Sequence, residues 1–343
     1  MKTQSSRQIF DRRQRGFSLI ELMVAVTLGF IVVGAVGYLF LGSRQSFRTT
    51  DNLSRMQENA RFALESITRD VRMAGYVGCG SLQSMAVNTI ANPPVPALSA
   101  DNAIAGLDTP GAAITNFMGT TITRPAGDAV TITGAFGGGV NLTGNLDPSN
   151  ADVQIAGNPY GFKANDILIV SSCTNADIFS ATTVSASGGI VTVAHANSTN
   201  TGNRVGTYGP NDVVLKMEQY TYFIGMNPAD KRALYRTSLT EGTIELVEDV
   251  WDMQIEYGVD TSVTADGAAD EYQTATAVAA GTNWPRVVSA RISLLMIGPD
   301  NVLSTAQTYN FNGALVTPAA TAPDRLRMHQ IFTTTVGLRN RLP

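Results

Sequence analysis

The first part of the chain passes from an uncharged apolar run to an amphipathic repeat. No charged residue occurs from Leu22 to Gly42, and this run is long enough to cross a bilayer as a helix. Beyond it, apolar positions recur every three or four residues, as on a helix with one buried face: Leu53, Met56, Ala60, Ala63, Ile67, Val71 and Ala74. No proline occurs from Phe17 to Gly75, a candidate C-cap, so we predict one continuous helix over this range.

After this helix the pattern becomes that of short strands. Residues 76–210 carry little charge, and runs such as "AVTITGAF", "DILIVSS" and "GIVTVAHA" predict strands between turns. In residues 211–343, "DVVLKMEQYTYFIG" and "ALYRTSL" predict a hairpin, and "RVVSARISLLMIG" has the apolar density of a central strand. The run "ELVEDVWDMQIEYG" indicates a turn or short helix leading into a strand. We therefore predict an α+β fold, with a long N-terminal helix, transmembrane and then amphipathic, packed on an antiparallel β-sheet domain.

The distribution of charge is more informative than the formal net charge of −4. Residues 1–16 hold five basic side chains and one acidic one, so the rest of the chain is acidic, which argues against nucleic acid as a partner. Because the basic residues precede the apolar run, the N-terminus is expected in the cytoplasm and the C-terminal domain outside it. The alternative is a signal peptide cleaved near Gly37, but apolar residues continue to Leu41.

No pattern of catalytic chemistry stands out. The chain has two cysteines and two histidines, too few for a typical zinc site, and it contains no P-loop, dinucleotide-binding or nucleophile-elbow sequence. His195 and His329 have no metal-binding or catalytic context, and "GAFGGG" at 134–139 is interpreted as a β-turn. The sequence thus predicts no catalytic residue, no metal, no cofactor and no enzyme activity.

Glu21 is the anomaly of the apolar segment. An ionised carboxylate at bilayer depth costs roughly 2.5–3.5 kcal/mol, and less near the surface. One interpretation places Glu21 at the level of the lipid headgroups. The other gives it a cationic partner: a cut after Gly16 would leave a free amine on Phe17, one helical turn away, in the same chain or in a neighbouring one.

The stretch "RGFSLIELMVAV" resembles the class III signal of type IV pilins and of type II secretion pseudopilins. This resemblance implies that a prepilin peptidase cuts between Gly16 and Phe17 and methylates the new terminus, and that Glu21 guides docking into a filament. It divides the N-terminal part into a basic leader (1–16), the transmembrane half of the helix (17–42) and its amphipathic half (43–75).

Three further segments, "GYVGC", "LVEDVWDMQIEYG" and "RLRMHQIFTTTVGLRNRL", resemble the PilW-type minor pilins. This resemblance implies a subunit of the inner membrane and pilus that initiates type IV pilus assembly at or near the tip and supports twitching motility and adhesion. The implied partners are other minor pilins, the major pilin, the prepilin peptidase, the inner-membrane assembly platform and a tip adhesin. The alternatives are a J-type pseudopilin, which shares the second segment, and a membrane-anchored adhesion or binding protein.

Cys79 follows the predicted helix, and Cys173 follows a predicted strand. An exported, oxidising compartment allows them to form a disulfide, which we expect here; the alternative is two buried free thiols. In a chain-entropy estimate, a bridge closing a loop of this length stabilises the fold by about 4–5 kcal/mol before native strain is subtracted.

Overall fold

The computed structural model describes residues 16–92, 95–108, 111, 113–115, 121–149 and 152–341. All of the predicted leader except Gly16 lies outside the described residues. The chain divides into two compact units, Met1–Asp51 and Asn52–Pro343, and each is described by itself below.

A single helix, α1 (Leu19–Arg72), occupies most of the predicted helical range. It begins two residues after Phe17 and ends three residues before Gly75. In the first unit its large apolar side chains are exposed, as Phe30 and Tyr38 illustrate. Within the part of the chain that the structure describes, α1 is the one helix long and apolar enough to cross a membrane.

In the second unit, one face of α1 packs into a hydrophobic core. Its buried side chains belong to the repeat seen in the sequence: Met56, Ala60, Ala63, Ile67 and Val71. Gly75 then adopts a φ of +71°, in the left-handed region that favours glycine, and its N–H donates to the Thr133 carbonyl at 2.9 Å. The chain thereby leaves the helix directly against a strand.

The other helical elements are α2 (Ala275–Ala280) and two 3₁₀ turns, Trp284–Arg286 and Arg339–Arg341. The strands, in chain order, are β1 (Ala86–Thr89), β2 (Ile104–Leu107), β3 (Ile114–Thr115), β4 (Thr121–Ile122), β5 (Ala129–Asn141), β6 (Asp152–Ile155), β7 (Ile167–Ser171), β8 (Asn175–Ser180), β9 (Thr183–Ser187), β10 (Ile190–Ala194), β11 (Val213–Met226), β12 (Arg232–Ser238), β13 (Gly242–Glu248), β14 (Val250–Val259), β15 (Glu271–Gln273), β16 (Val287–Asn301), β17 (Tyr309–Phe311), β18 (Ala314–Val316) and β19 (Arg327–Gly337).

Two sheets carry the core against which α1 packs. The larger has the order β1-β8-β7-β11-β12-β13, with β5 pairing with β11 and β2 pairing with β5; the smaller has the order β15-β14-β16-β19. Strands β6, β10 and β9 form a third sheet, and β3–β4 and β17–β18 form separate pairs. All these pairs are antiparallel except β1–β8, which is parallel. The predicted α+β fold is thus confirmed. The division of the β-domain at residues 210/211 stays a prediction, and strands from both sides of it share the larger sheet.

Several local predictions hold and two are wrong. The β11–β12 hairpin forms, and β16 lies between β14 and β19 as a central strand. However, "GAFGGG" lies within strand β5, which pairs with β11 up to Phe136 and again from Val140, with a register shift between these two stretches. The turn or short helix expected in "ELVED" is part of strand β13, and the chain passes into β14 at Asp249, whose φ is +61°.

The two sheets meet at the start of β5, where Asp128 bonds to β14 through both its main chain and its side chain. The Asp128 N–H donates to the Met253 carbonyl at 2.7 Å, and the Ile255 N–H donates to the Asp128 carboxylate at 2.7 Å. Gly127 is required beside it, because a Cβ there would lie 2.9 Å from the Met253 nitrogen. The fully buried Arg124 donates to the Gly127 carbonyl at 2.7 Å and holds this approach in place.

This junction is sensitive to charge. Burial, together with the nearby Asp108 and Asp252 carboxylates, raises the pKa of Asp128 to about 7, although the Ile255 N–H and Arg124 lower it. Because folding raises this pKa above its usual value, the protonated carboxyl favours the folded state. Its contribution to stability is present below about pH 4 and is lost as the pH rises towards 7.

We therefore predict that Asp128→Asn stabilises the protein relative to wild type as the pH rises. The amide keeps an acceptor for the Ile255 N–H without a buried charge, so the gain should be small at pH 4 and about 1–3 kcal/mol at pH 8. Unfolding of the full chain in detergent, followed by circular dichroism at both pH values, measures it. The exposed Asp147→Asn is the control and should show no such gain; an equal effect of Asp128→Asn at both pH values would contradict the prediction.

Candidate functional site

Ser18 and Glu21 form a reciprocal cap at the start of α1. The Ser18 N–H and hydroxyl both donate to the Glu21 carboxylate, at 3.0 and 3.1 Å, and the Glu21 N–H donates to the Ser18 hydroxyl oxygen at 3.2 Å. This is a capping box of the Ser-x-x-Glu type. Ser18 was not among the predicted site residues, although its spacing of three from Glu21 is the signal that would have identified it.

The residues of the predicted processing site lie together at this cap. Gly16 and Phe17 precede the helix in extended chain, and the Phe17 side chain is 89% exposed. Glu21 lies one turn into the helix, with its carboxylate held towards the main chain of Ser18. Cleavage before Phe17 would therefore create an amine beside a carboxylate that is already oriented, which is the geometry an ion pair needs.

A buried polar cluster joins the end of α1 to the larger sheet. Asp70 is 3% exposed, and it accepts a hydrogen bond of 2.6 Å from the Tyr222 hydroxyl. The Arg236 guanidinium lies 3.7 Å from the same carboxylate and 4.5 Å above the Tyr220 ring. Burial, and after it the Asp70 charge, raise the pKa of Tyr222 well above its usual range, so its hydroxyl stays a donor. The cluster fixes the position of the helix on the sheet.

The expected disulfide is present and follows the helix directly. The sulfur atoms of Cys79 and Cys173 are bonded at 2.11 Å, with their Cα atoms 5.0 Å apart. Cys173 lies in the turn between β7 and β8, where the Ser172 hydroxyl donates to the Asn175 side-chain oxygen at 2.6 Å. The bridge therefore attaches the chain that leaves α1 to the outer part of the larger sheet.

Two of the segments that carried the family resemblance meet in space. Asp249, in "LVEDVWDMQIEYG", forms an ion pair with Arg327, in "RLRMHQIFTTTVGLRNRL". Arg327 also donates to the Gly298 carbonyl, and Trp251 stacks on Arg232, with 4.1 Å from the guanidinium carbon to the ring centre. These contacts border a cleft of about 290 Å³. Asp249, with a φ of +61°, thus links the β13–β14 corner to the tail.

The last described residues hold the end of α1. The Asn340 side-chain amide donates to the Ala74 carbonyl at 3.2 Å. Arg341 is 8% exposed, and its guanidinium donates to the Trp284 and Ala100 carbonyls. Burial lowers the pKa of Arg341 to about 10, so it remains charged at neutral pH. The tail therefore binds the chain just after the helix through Asn340 and two neighbouring segments through Arg341.

The chain combines a long N-terminal apolar helix, capped at its start by Ser18 and Glu21, with an antiparallel β-domain, which is a pilin-like α+β fold. Residues 11–37 match the model of the prokaryotic N-terminal methylation motif, and residues 221–340 match the model of Type IV Pilus-assembly protein W, PilW. The two matches confirm the resemblance seen in the sequence: an N-terminal segment similar to the prepilin methylation motif and a C-terminal segment similar to PilW.

One curated relative and one solved structure share partial similarity with the chain. "Pilin-like protein PilA3" of Thermus thermophilus is 35% identical over 92 residues, which are 26% of this chain and 37% of that protein. The match therefore spans little more than a third of the relative's length. The structure of "Type IV-like pilin TTHA1219 from Thermus thermophilus" aligns with 86% of this chain and 99% of its own at 10% identity, with a TM-score of 0.34.

We predict that the double variant Cys79→Ser/Cys173→Ser unfolds more easily than wild type. Its denatured chain gains the entropy of a loop spanning 94 residues, so the free energy of unfolding should fall by about 3–5 kcal/mol. Denaturant unfolding of the full chain in detergent measures the loss. Reduction of wild type is the matched control and should reproduce it without further affecting the variant. Two alkylatable thiols in the non-reduced protein would contradict the prediction.

Proposed function

We propose that this protein is a minor pilin that initiates type IV pilus assembly, stays at or near the pilus tip, and supports twitching motility and adhesion. One observation carries the proposal: a prepilin methylation motif and a PilW-type segment occur in the same chain. The role is structural, because the helix, the cap and the tail serve attachment and packing and no catalytic group is assigned.

The proposed life cycle starts in the inner membrane. The protein is inserted with its N-terminus in the cytoplasm and its C-terminal domain in the periplasm, since the basic residues precede the apolar run. The prepilin peptidase cuts between Gly16 and Phe17 and methylates Phe17. The mature subunit then enters the pilus through the assembly platform, together with other minor pilins and the major pilin, and with a tip adhesin as a further partner.

Glu21 is proposed to pair with a terminal amine during assembly. Among the described residues of the single chain, its carboxylate accepts hydrogen bonds from the N–H and hydroxyl of Ser18 only. A charge-assisted hydrogen bond from the amine of Phe17, in its own chain or in a neighbour, is stronger than these neutral ones, and more so in lipid. The cap of Ser18 keeps the carboxylate at the helix start until that partner arrives.

The close alternative is a J-type pseudopilin of a type II secretion system. The helix and the β13–β14 corner at Asp249 fit both systems, whereas the PilW match extends through the tail that clamps α1. Deletion of the gene separates the two functions: loss of surface pili and twitching supports the pilus role, and loss of protein secretion supports the pseudopilus. A third possible function is that of a membrane-anchored adhesion or binding protein. In that case the chain would bind a ligand without entering a filament.

We predict that the mature protein begins at Phe17 and carries a methyl group there. Intact-mass and N-terminal analysis of membrane-purified protein checks it, and a start at Met1 or after Gly37 would contradict it. Gly16→Val is the matched variant. A Cβ at Gly16 meets no described atom within 4 Å, so any block of processing would arise in the peptidase site and not in the chain itself.

We also predict that Glu21→Ala leaves membrane insertion intact but abolishes most piliation. Removal of a carboxylate makes the apolar segment easier to insert, whereas the partner amine is left without a counter-charge. Membrane fractionation and counts of surface pili measure the two effects. Glu58→Ala, an exposed position on the same helix, is the control and should pilate normally. Normal piliation of Glu21→Ala would contradict the pairing.

A further inference from the structure

Strand β19 forms a long, regular edge of the smaller sheet. It is the last strand in the order β15-β14-β16-β19. Its pairing with β16 runs without a register shift from Ile297↔His329 to Ser289↔Gly337. Every residue of this stretch therefore has one neighbour strand only, and half of its backbone groups point away from the sheet.

A side chain already imitates the missing neighbour at one position. The His329 N–H donates to the Gln307 side-chain oxygen at 3.0 Å, and the Gln307 amide donates to the His329 carbonyl at 3.0 Å. The backbone groups of His329 therefore point outward, away from β16. Because this direction alternates along a strand, the N–H and C=O of Ile331, Thr333 and Thr335 point outward too. Among the described residues these six groups have no hydrogen-bond partner.

The edge strands β13 and β15 are protected in ways that β19 is not. Strand β13 carries Glu245 and Glu248 and pairs with β12 across a register shift, and β15 is only three residues long. From Gln330 to Gly337, β19 has no charge, no proline and no bulge, and Thr333 and Thr335 are exposed. An edge without these protections is a template for another strand.

The charges at the two ends of the edge indicate what fits it. Arg327, paired with Asp249, lies at one end, and the exposed Arg339 follows the other. A second copy pairing about a two-fold axis at Thr333 would set Arg339 of each copy against the Arg327–Asp249 ion pair of the other, whose carboxylate is already paired, so Arg339 would gain no partner. A strand with acidic ends would instead be attracted at Arg339.

We propose that the free edge of β19 is a docking site for an extended strand of another protein. The central residues of this strand are uncharged, and its ends carry acidic residues. The incoming strand adds to the sheet as a fifth strand and forms up to six backbone hydrogen bonds with Ile331, Thr333 and Thr335. Its threonine or β-branched side chains continue the outer face, where Thr333 lies 2.9 Å from the Ser293 hydroxyl. Strand addition here is independent of pilus initiation, so either can fail alone.

A synthetic peptide tests the edge directly. The probe is acetyl-ETVTVTE-amide, added to the full mature chain in detergent, with hydrogen exchange read at single amides. We expect saturable binding that slows exchange at Ile331, Thr333 and Thr335 by about tenfold or more, because these amides become hydrogen-bonded. The same peptide N-methylated at its internal amides should give no protection. Unchanged exchange at these amides with saturating probe would overturn the proposal.

Two variants separate the backbone and charge contributions. Thr333→Pro removes an N–H that points outward, leaving the pairing with β16, and should weaken binding about tenfold. Arg339→Gln should weaken binding of the acidic probe a few-fold and leave a QTVTVTQ probe unaffected. If wild type instead self-associates and Thr333→Pro makes it monomeric, the occupant is a second copy, which would overturn the assignment to a different protein.

Discussion

The close packing of one helix face on the sheets is the constraint on which the rest of the domain depends. Ala60 and Ala63 are fully buried, and their small side chains let the helix axis approach the strands, while Met56, Ile67 and Val71 fill the space around them. Burial of a large apolar side chain contributes about 1.5–3 kcal/mol. Burial alone does not fix the rotation of the helix, however. The hydrogen bond from Tyr222 to Asp70 does, because a buried carboxylate without that partner would be costly.

Each remaining part of the domain is attached to this packing by one long-range link. The disulfide fixes the chain that leaves the helix to the β7–β8 turn, and the Asn340 amide closes the helix end. Asp128 joins the larger sheet to β14 through two hydrogen bonds, and the Asp249–Arg327 pair joins the β13–β14 corner to β19. The position of the helix on the sheets therefore rests on apolar burial together with a few polar contacts that are mostly buried.

The sequence was sufficient for features governed by local periodicity. The helical repeat and the alternating or apolar runs predicted α1, the β11–β12 hairpin and the central strand β16, because side-chain spacing is set by backbone geometry. It was insufficient where distant residues decide. The "GAFGGG" run is a strand because β11 pairs with it, and the β13–β14 corner depends on Asp249 meeting Arg327. At the candidate site, Gly16, Phe17 and Glu21 were found from their motif; Ser18 was overlooked although its spacing was local, and the contacts of the tail were beyond any local pattern.

The clamp of the tail on α1 has a consequence for the order of synthesis. Asn340 lies 266 positions after Ala74, whose carbonyl it binds. A ribosome adds about 5–20 residues per second, so the helix end waits on the order of ten seconds or longer for its partner to be made. Until then the Ala74 carbonyl, in the turn after α1, lacks the Asn340 amide, and the Ala100 and Trp284 carbonyls lack the Arg341 guanidinium. A chain interrupted before Asn340 therefore contains all of α1 but lacks the contact that closes the turn after it.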